Sequence, residues 1–351
     1  MANTSSPQHK DSHRSLTRRS FGVLALGSFS ALALAACGSS NSSDSNASAS
    51  SALTSAKPAP SALPSGMGST AGDGEFPRTV KHFRGETKIE SVPKSVVILS
   101  TGQLDDVLAL GLVPIGAATA NDADLVPEYL KTKFSDKSAE LDKIAKVGKR
   151  TEPDLGAIAN LHPDLILINN TNKKEEVYES LSKIAPTVVT EGTGHNWKQD
   201  FLMIASALGA TSKAEEMLKD YEDKAKKLGE KAGKEKTFSF LYAAGDRTRV
   251  YAKSSFVGSI CEDASLARPA VQQEGKISID LSSENLDQAD GDYLFYGVQG
   301  GDESKLTSET LWESLKAVKE KHAHKVDSDM FYLNAGITAA LGVIEEIDKN
   351  I

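Results

Sequence analysis

Leu155-Gly-Ala-Ile-Ala-Asn-Leu-His-Pro-Asp-Leu-Ile-Leu167 reads as a short helix, a tight turn and the start of a buried strand. Asp164-Leu-Ile-Leu-Ile168 is a continuous apolar run, which a strand covered on both faces requires. The pattern returns as Ser283-Glu-Asn-Leu-Asp-Gln-Ala-Asp-Gly-Asp-Tyr-Leu-Phe295, an offset of 128 (283 minus 155). In that overlay Pro163-Asp164 meets Gly291-Asp292 and Ile158 meets Leu286. A repeat of this kind implies two related lobes.

Outward from it, Ser95–Ser100, Val113–Ala118 and Thr187–Thr190 read as strands, and Leu104–Leu110 and Glu175–Ala185 as helices. Short apolar strands alternating with helices imply parallel βαβ units. The second half repeats the alternation less regularly. Thr237–Ala243, Asp292–Tyr296 and His324–Asp327 read as strands, with helices near 256–264, 282–288, 309–321 and 335–349. Between the halves, Ser212-Lys-Ala-Glu215 has the form of a capping box. Ala214, Met217, Leu218, Tyr221, Ala225 and Leu228 then recur at helical spacing, to about Ala232. Such a helix is roughly 30 Å long, and the pattern offers no second helix of that length to pair with it. The expected fold is α/β, with two Rossmann-like lobes (78–210 and 235–351) joined by one long α-helix (211–234) and a ligand cleft between the lobes.

The chain has 351 residues, 40 basic and 48 acidic side chains and a net charge of -8, which argues against nucleic acid as a partner. Two cysteines exclude a disulfide-stapled scaffold and an all-cysteine metal site. Lys10, Arg14, Arg18 and Arg19 precede a 16-residue apolar run from Phe21 to Ala36, short for a membrane-spanning helix. A basic front, a short apolar middle and a small-residue end describe an export signal over residues 1–36. Leu34-Ala35-Ala36-Cys37 resembles a bacterial lipobox, which implies lipidation of Cys37 and anchoring at the outer face of the cell membrane. Thr17-Arg18-Arg19-Ser20-Phe21 resembles the twin-arginine signature, but Gly22 and Val23 depart from it, leaving both export routes open. Of residues 38–75, 27 of 38 are Ser, Ala, Gly or Pro, too few apolar groups to offset the entropy of ordering. Residues 37–77 are therefore expected to be a disordered tether. Cys261, in an apolar context, is expected in the core.

Val147-Gly-Lys-Arg-Thr-Glu-Pro-Asp-Leu-Gly-Ala-Ile-Ala-Asn-Leu-His-Pro-Asp-Leu-Ile166 resembles the iron–siderophore substrate-binding proteins of ABC importers, relatives of the ferric-hydroxamate and vitamin B12 binding proteins. The resemblance continues through Tyr178–Pro186, Ala207–Ala214, Ser254–Gly258, Ile279–Leu286 and Leu311–Val318, from about residue 78 to the end. It implies two α/β lobes bridged by a long helix, a ferric siderophore in the cleft, an ABC permease as partner and no enzymatic activity; a monomer is expected. The chelator fills the octahedral shell of iron, so no metal ligands and no cofactor are expected from the protein. Arg150 matches the arginine that contacts the chelating oxygens in ferric-hydroxamate binders. Glu284 matches the second-lobe carboxylate that docks on the permease. The first-lobe match is Gly156, which cannot form that ion pair, leaving Glu152 or Asp154 as substitutes.

Ligands of α/β sheets sit at strand ends. The aromatic candidates there are Trp197, Phe256, Tyr296, Phe331 and Tyr332, each equally readable as core; Thr101, Asn169 and Asn170 also follow strands. Trp312 reads as core, and Arg247 and Arg249 as hairpin surface. Among alternatives, a zinc or manganese importer needs three converging ligands, and His322-Ala-His324 beside Lys321 and Lys325 lacks ligand spacing. Haem or a corrinoid in the same cleft is the runner-up. An exported enzyme would show a Gly-x-Ser-x-Gly elbow, a His-Glu-x-x-His pair or a phosphate-cradling glycine loop, and none is present.

Overall fold

The computed structural model describes residues 57–120 and 124–351, so the export leader, Cys37 and the first part of the tether lie outside the described residues. Thirteen strands occur among the described residues: β1 (Arg78–His82), β2 (Gly85–Ile89), β3 (Val96–Ile98), β4 (Gly116–Thr119), β5 (Ala145–Lys149), β6 (Glu152–Pro153), β7 (Leu165–Asn169), β8 (Thr187–Thr190), β9 (Phe238–Ala244), β10 (Arg247–Tyr251), β11 (Ser278–Leu281), β12 (Tyr293–Val298) and β13 (Ala323–Lys325). The first lobe holds a six-stranded sheet in the order β6-β5-β4-β3-β7-β8. Its strands β5, β4, β3, β7 and β8 are parallel, and β6 folds back on β5. The second lobe holds a five-stranded sheet, β11-β10-β9-β12-β13. There β9, β12 and β13 run parallel, while β10 and β11 form an antiparallel edge.

The two copies of the repeat become β7 and β12, both buried along their whole length. Their preceding helices differ: Leu155–Asn160 is α-helical, whereas Ser283–Ala289 is wound as a 3₁₀ helix. The helix expected near 309–321 is broken into Trp312–Ser314 and Lys316–Lys319, with Leu315 extended between them. Asp290 causes the restart, because its carboxylate accepts the Lys316 and Ala317 N–H groups at 2.6 and 3.2 Å.

The long helix runs from Thr211 to Ala232 and buries Ala214, Leu218, Tyr221, Ala225, Leu228 and Ala232. It is not a bare strut, because the Trp197–Leu208 and Ile337–Lys349 helices pack against it. Its first N–H groups are satisfied by Asp73 rather than by the local capping box. The two Asp73 oxygens accept Thr211 N–H at 2.8 Å and Ser212 N–H at 2.9 Å. That contact corrects the expected extent of the tether. Leu63 and Met67 pack on the core, Ser69 N–H donates to Ser206 Oγ at 2.7 Å, and Gly74 N–H donates to Gly209 O at 2.9 Å. Serine and glycine, read as signs of disorder, here supply backbone groups that bond to the body. Residues 57–120 and 124–351 belong to one compact unit, with a core cluster running from Trp197 to Ile347.

Candidate ligand-binding cleft

Parallel strands deliver their C-terminal ends to one edge of each sheet, and the cleft lies between those edges. After β3, Gly102 adopts φ 85° and sits so close to the second lobe that a Cβ there would meet Ala335 O at 2.0 Å. Only glycine fits this crossing. Around it lie three adjoining chambers of about 220, 510 and 1000 Å³. Arg150 lines all three.

Arg150 follows β5 and is fixed by its N–H donating to Thr119 O at 2.9 Å. Its guanidinium is half-buried, and Nε is enclosed without a hydrogen-bond partner. Among the described residues it pairs with neither Glu152 nor Asp154. Asp154 instead caps the Leu155–Asn160 helix, accepting the Ala157 N–H at 2.9 Å. Burial lowers the Arg150 pKa, though an arginine remains a cation. Thr101 also lines the cleft, with Oγ1 enclosed and partnerless. Asn169 lines two chambers, and its carboxamide oxygen accepts the Thr171 N–H at 3.2 Å. Asn170 turns away, bonded to Arg84 and Glu191.

The five aromatic candidates separate. Phe256 and Tyr332 line the narrow chamber, where Tyr332 donates to Phe295 O at 2.7 Å and stacks on Tyr242. Trp197 reaches the same chamber but is only 1% exposed, set edge-on behind Phe256 with its indole N–H donated to Ser259 at 3.1 Å. It supports the wall and offers no free face. Tyr296 is not in the cleft. Side chains alternate along β12, so Phe295 faces the central core while Tyr296 turns to the opposite face, edge-on to Trp312 and donating to Glu303 at 2.9 Å. Phe331 is fully buried against Phe295, because the π-turn Asp329–Leu333 sends it into the core.

Sequence reasoning missed Gln103, Asp106 and Asp200, all buried and lining the narrow chamber. Burial raises both aspartate pKa values, and for Asp106 the neighbouring Asp105 and Asp200 carboxylates add to the rise. Asp200 accepts the N–H groups of Glu191 and Gly192 at 2.9 and 2.8 Å, and its pKa is pushed up to about 7. Cys261 is a buried core residue whose thiol is pushed up to about 12 by burial. Glu284 and Gly156 are exposed on the Ser283–Ala289 and Leu155–Asn160 helices. Among the described residues no three His, Cys, Asp or Glu side chains converge in a metal-holding group, and no helix is long and apolar enough to cross a membrane.

Residues 96–330 match the family described as periplasmic binding protein. The probable siderophore-binding lipoprotein YfiY of Bacillus subtilis (strain 168) is 34% identical over 289 residues, 77% of this chain and 86% of that protein. The petrobactin-binding protein YclQ of the same organism is 30% identical, with 78% of this chain and 88% of that protein covered. The structure of Staphylococcus aureus SirA complexed with staphyloferrin B aligns with a TM-score of 0.66 at 28% identity, covering 78% of this chain and 97% of that one.

Proposed function

The chain belongs to the periplasmic binding protein family, and we propose that it captures a ferric siderophore of hydroxamate type outside the cytoplasm and delivers it to an ABC permease. The observation that carries this reading is Arg150: a half-buried guanidinium with an enclosed, unpartnered Nε, shared by all three chambers of the cleft. A ferric siderophore presents a compact cluster of electron-rich oxygens around an iron whose shell is already full. Charge-assisted donation from a guanidinium suits that cluster, while Phe256 and Tyr332 offer ring surface to the organic scaffold. The siderophores named for YclQ and SirA support a chelate as the cargo. Binding and release is the whole task, with no chemical step on the ligand.

Delivery rests on the exposed Glu284 as the second-lobe docking carboxylate, with Glu152 or Asp154 standing in for Gly156 on the first lobe. Cys37 carries the lipid that holds the protein at the membrane, and the protein acts as a monomer.

Tryptophan fluorescence tests the reading, with Trp197 seated behind the cleft wall as a reporter. Titration with iron-loaded hydroxamates, catecholates, citrate and haem should show tightest binding for a hydroxamate. Arg150→Ala should weaken it by about one to two decades, from roughly 1.5–3 kcal/mol for a hydrogen bond to a charged group. Unchanged affinity in that variant removes Arg150 from the site, and preference for haem replaces the cargo.

A further inference from the structure

We infer that the narrow chamber of the cleft receives a protonated amine on the siderophore, so that the cargo is a ferric chelate with a cationic arm; this rests on the reading that the cleft binds a ferric chelate. The chamber is lined by one cation and two buried carboxyl groups. They are Arg150, Asp106 and Asp200. Asp105 and Asp106 are adjacent, yet their surroundings differ. Asp105 accepts N–H groups from Thr338 and Ala339 at 2.8 Å each and the Tyr129 hydroxyl at 3.0 Å. Asp106, 2% exposed, receives one long bond from the Ile337 N–H at 3.4 Å. Among the described residues no lysine or arginine forms an ion pair with Asp106 or Asp200. Asp105 is committed to the fold, whereas Asp106 lines the chamber with no cationic partner among the described residues, so that an arriving ammonium would favour its ionised form.

A second, independent feature points to a ligand. Gln103 is 2% exposed, and its Oε1 accepts the N–H groups of Leu99 and Ser100 at 3.2 and 3.0 Å. Those two donors fix the orientation of the amide. Its Nε2 is consequently a buried donor with no partner, on a side chain lining the same chamber. Buried polar groups are costly unless bonded. A ligand arm bearing a carbonyl followed by an ammonium would satisfy Gln103 and Asp106 together, with the rings of Phe256 and Tyr332 beside the cation. At about 220 Å³ the chamber is smaller than the roughly 300–1,000 Å³ of pockets that enclose whole ligands. An alkylammonium arm is the appropriate size, and the wider chambers across Arg150 hold the chelate.

The test uses the folded protein and two probes: an iron-loaded linear trihydroxamate with a free terminal amine, and its N-acetylated form. The free amine should bind about tenfold tighter or more, as close charge pairs across interfaces do. Asp106→Asn should abolish that gap, weakening the free amine far more than the acetylated form. Equal binding of both probes by the wild type overturns the cationic arm and leaves the chelate reading standing. Equal loss of both probes in Asp106→Asn overturns it too, by making Asp106 a structural residue. Binding of neither probe overturns the hydroxamate reading beneath it as well. The wild-type comparison decides the matter alone where the variant does not fold.

Discussion

Asp105 of the first lobe caps the C-terminal helix of the second, its two oxygens accepting the N–H groups of Thr338 and Ala339 at 2.8 Å each. The first turn of a helix has unpaired donors and a partial positive charge, so an anionic cap from another element is favourable. Gly336 keeps the approach open, since a Cβ there would stand 2.6 Å from Asp105 Cβ. Asp105→Ala should lose about 2–4 kcal/mol, from a missing cap and stranded buried N–H groups. Gly336→Ala should also destabilise, through the clash. Urea unfolding measures both, and a wild-type midpoint for Asp105→Ala would show that the cap does not hold the lobes.

Lys198 and Asp263 form a second tie, at 2.7–2.9 Å, joined by the Tyr221 hydroxyl on Asp263 at 2.7 Å. The partners are unequally buried: 3% exposure for the Lys198 side chain and 25% for that of Asp263. Removing the aspartate strands a buried ammonium, whereas removing the lysine leaves a carboxylate that water can still reach. Asp263→Ala should therefore cost about 3–5 kcal/mol, and Lys198→Met clearly less. The double variant Lys198→Met with Asp263→Leu should recover much of the loss. Equal costs for the two single variants would contradict this account of the pair.

The elements legible in the sequence are those whose burial leaves a period or an unbroken run. Strands β7 and β8 and the 211–232 helix are of that kind, as their apolar residues occupy one face or the whole segment. The Trp197–Leu208 helix was not legible, because every one of its residues is buried, Lys198, Gln199 and Asp200 included, so no polar face marks it. Asp106 was hidden for the same reason, within a short helix buried on nearly all sides. Arg150 was found through resemblance to a motif, not through any local pattern. Tyr296 and Phe331 were misplaced because a strand's period shows which residues share a face but not which face meets the ligand.

Glu284 is exposed, lies on the Ser283–Ala289 turn and lines none of the three cleft chambers. Glu284→Ala should leave siderophore affinity within about twofold, as expected of a surface change away from a site. On the docking role proposed for Glu284, uptake of radio-iron by cells carrying this variant should nonetheless fall well below wild type. Normal uptake would locate docking elsewhere on the lobe.

Asp200 gives the protein a pH dependence of unusual sign for a carboxylate. Its pKa rises from 3.8 to about 7, chiefly through burial, with Glu191 adding to the rise and the Glu191 and Gly192 N–H groups opposing it. Between these values the folded chain holds more protons than the unfolded one, so stability falls as pH rises. The contribution is fully present below about pH 4 and is lost as pH passes through 7. At about 1.4 kcal/mol per unit, the span amounts to a few kcal/mol. His82 acts in the opposite sense. Its pKa is lowered to about 4 by burial, so the folded chain loses stability as pH falls from 6.5 toward 4. The wild-type profile sums both effects, and a difference against Asp200→Asn separates them. Asparagine does not ionise, and it surrenders one of the two acceptors for the 191–192 backbone at every pH. Relative to wild type, Asp200→Asn should thus be least stable in acid and should gain steadily by urea unfolding as pH is raised from about 4 to about 8. A difference independent of pH would mean that Asp200 is ionised in the folded protein throughout, with its charge stabilised by the loop donors alone.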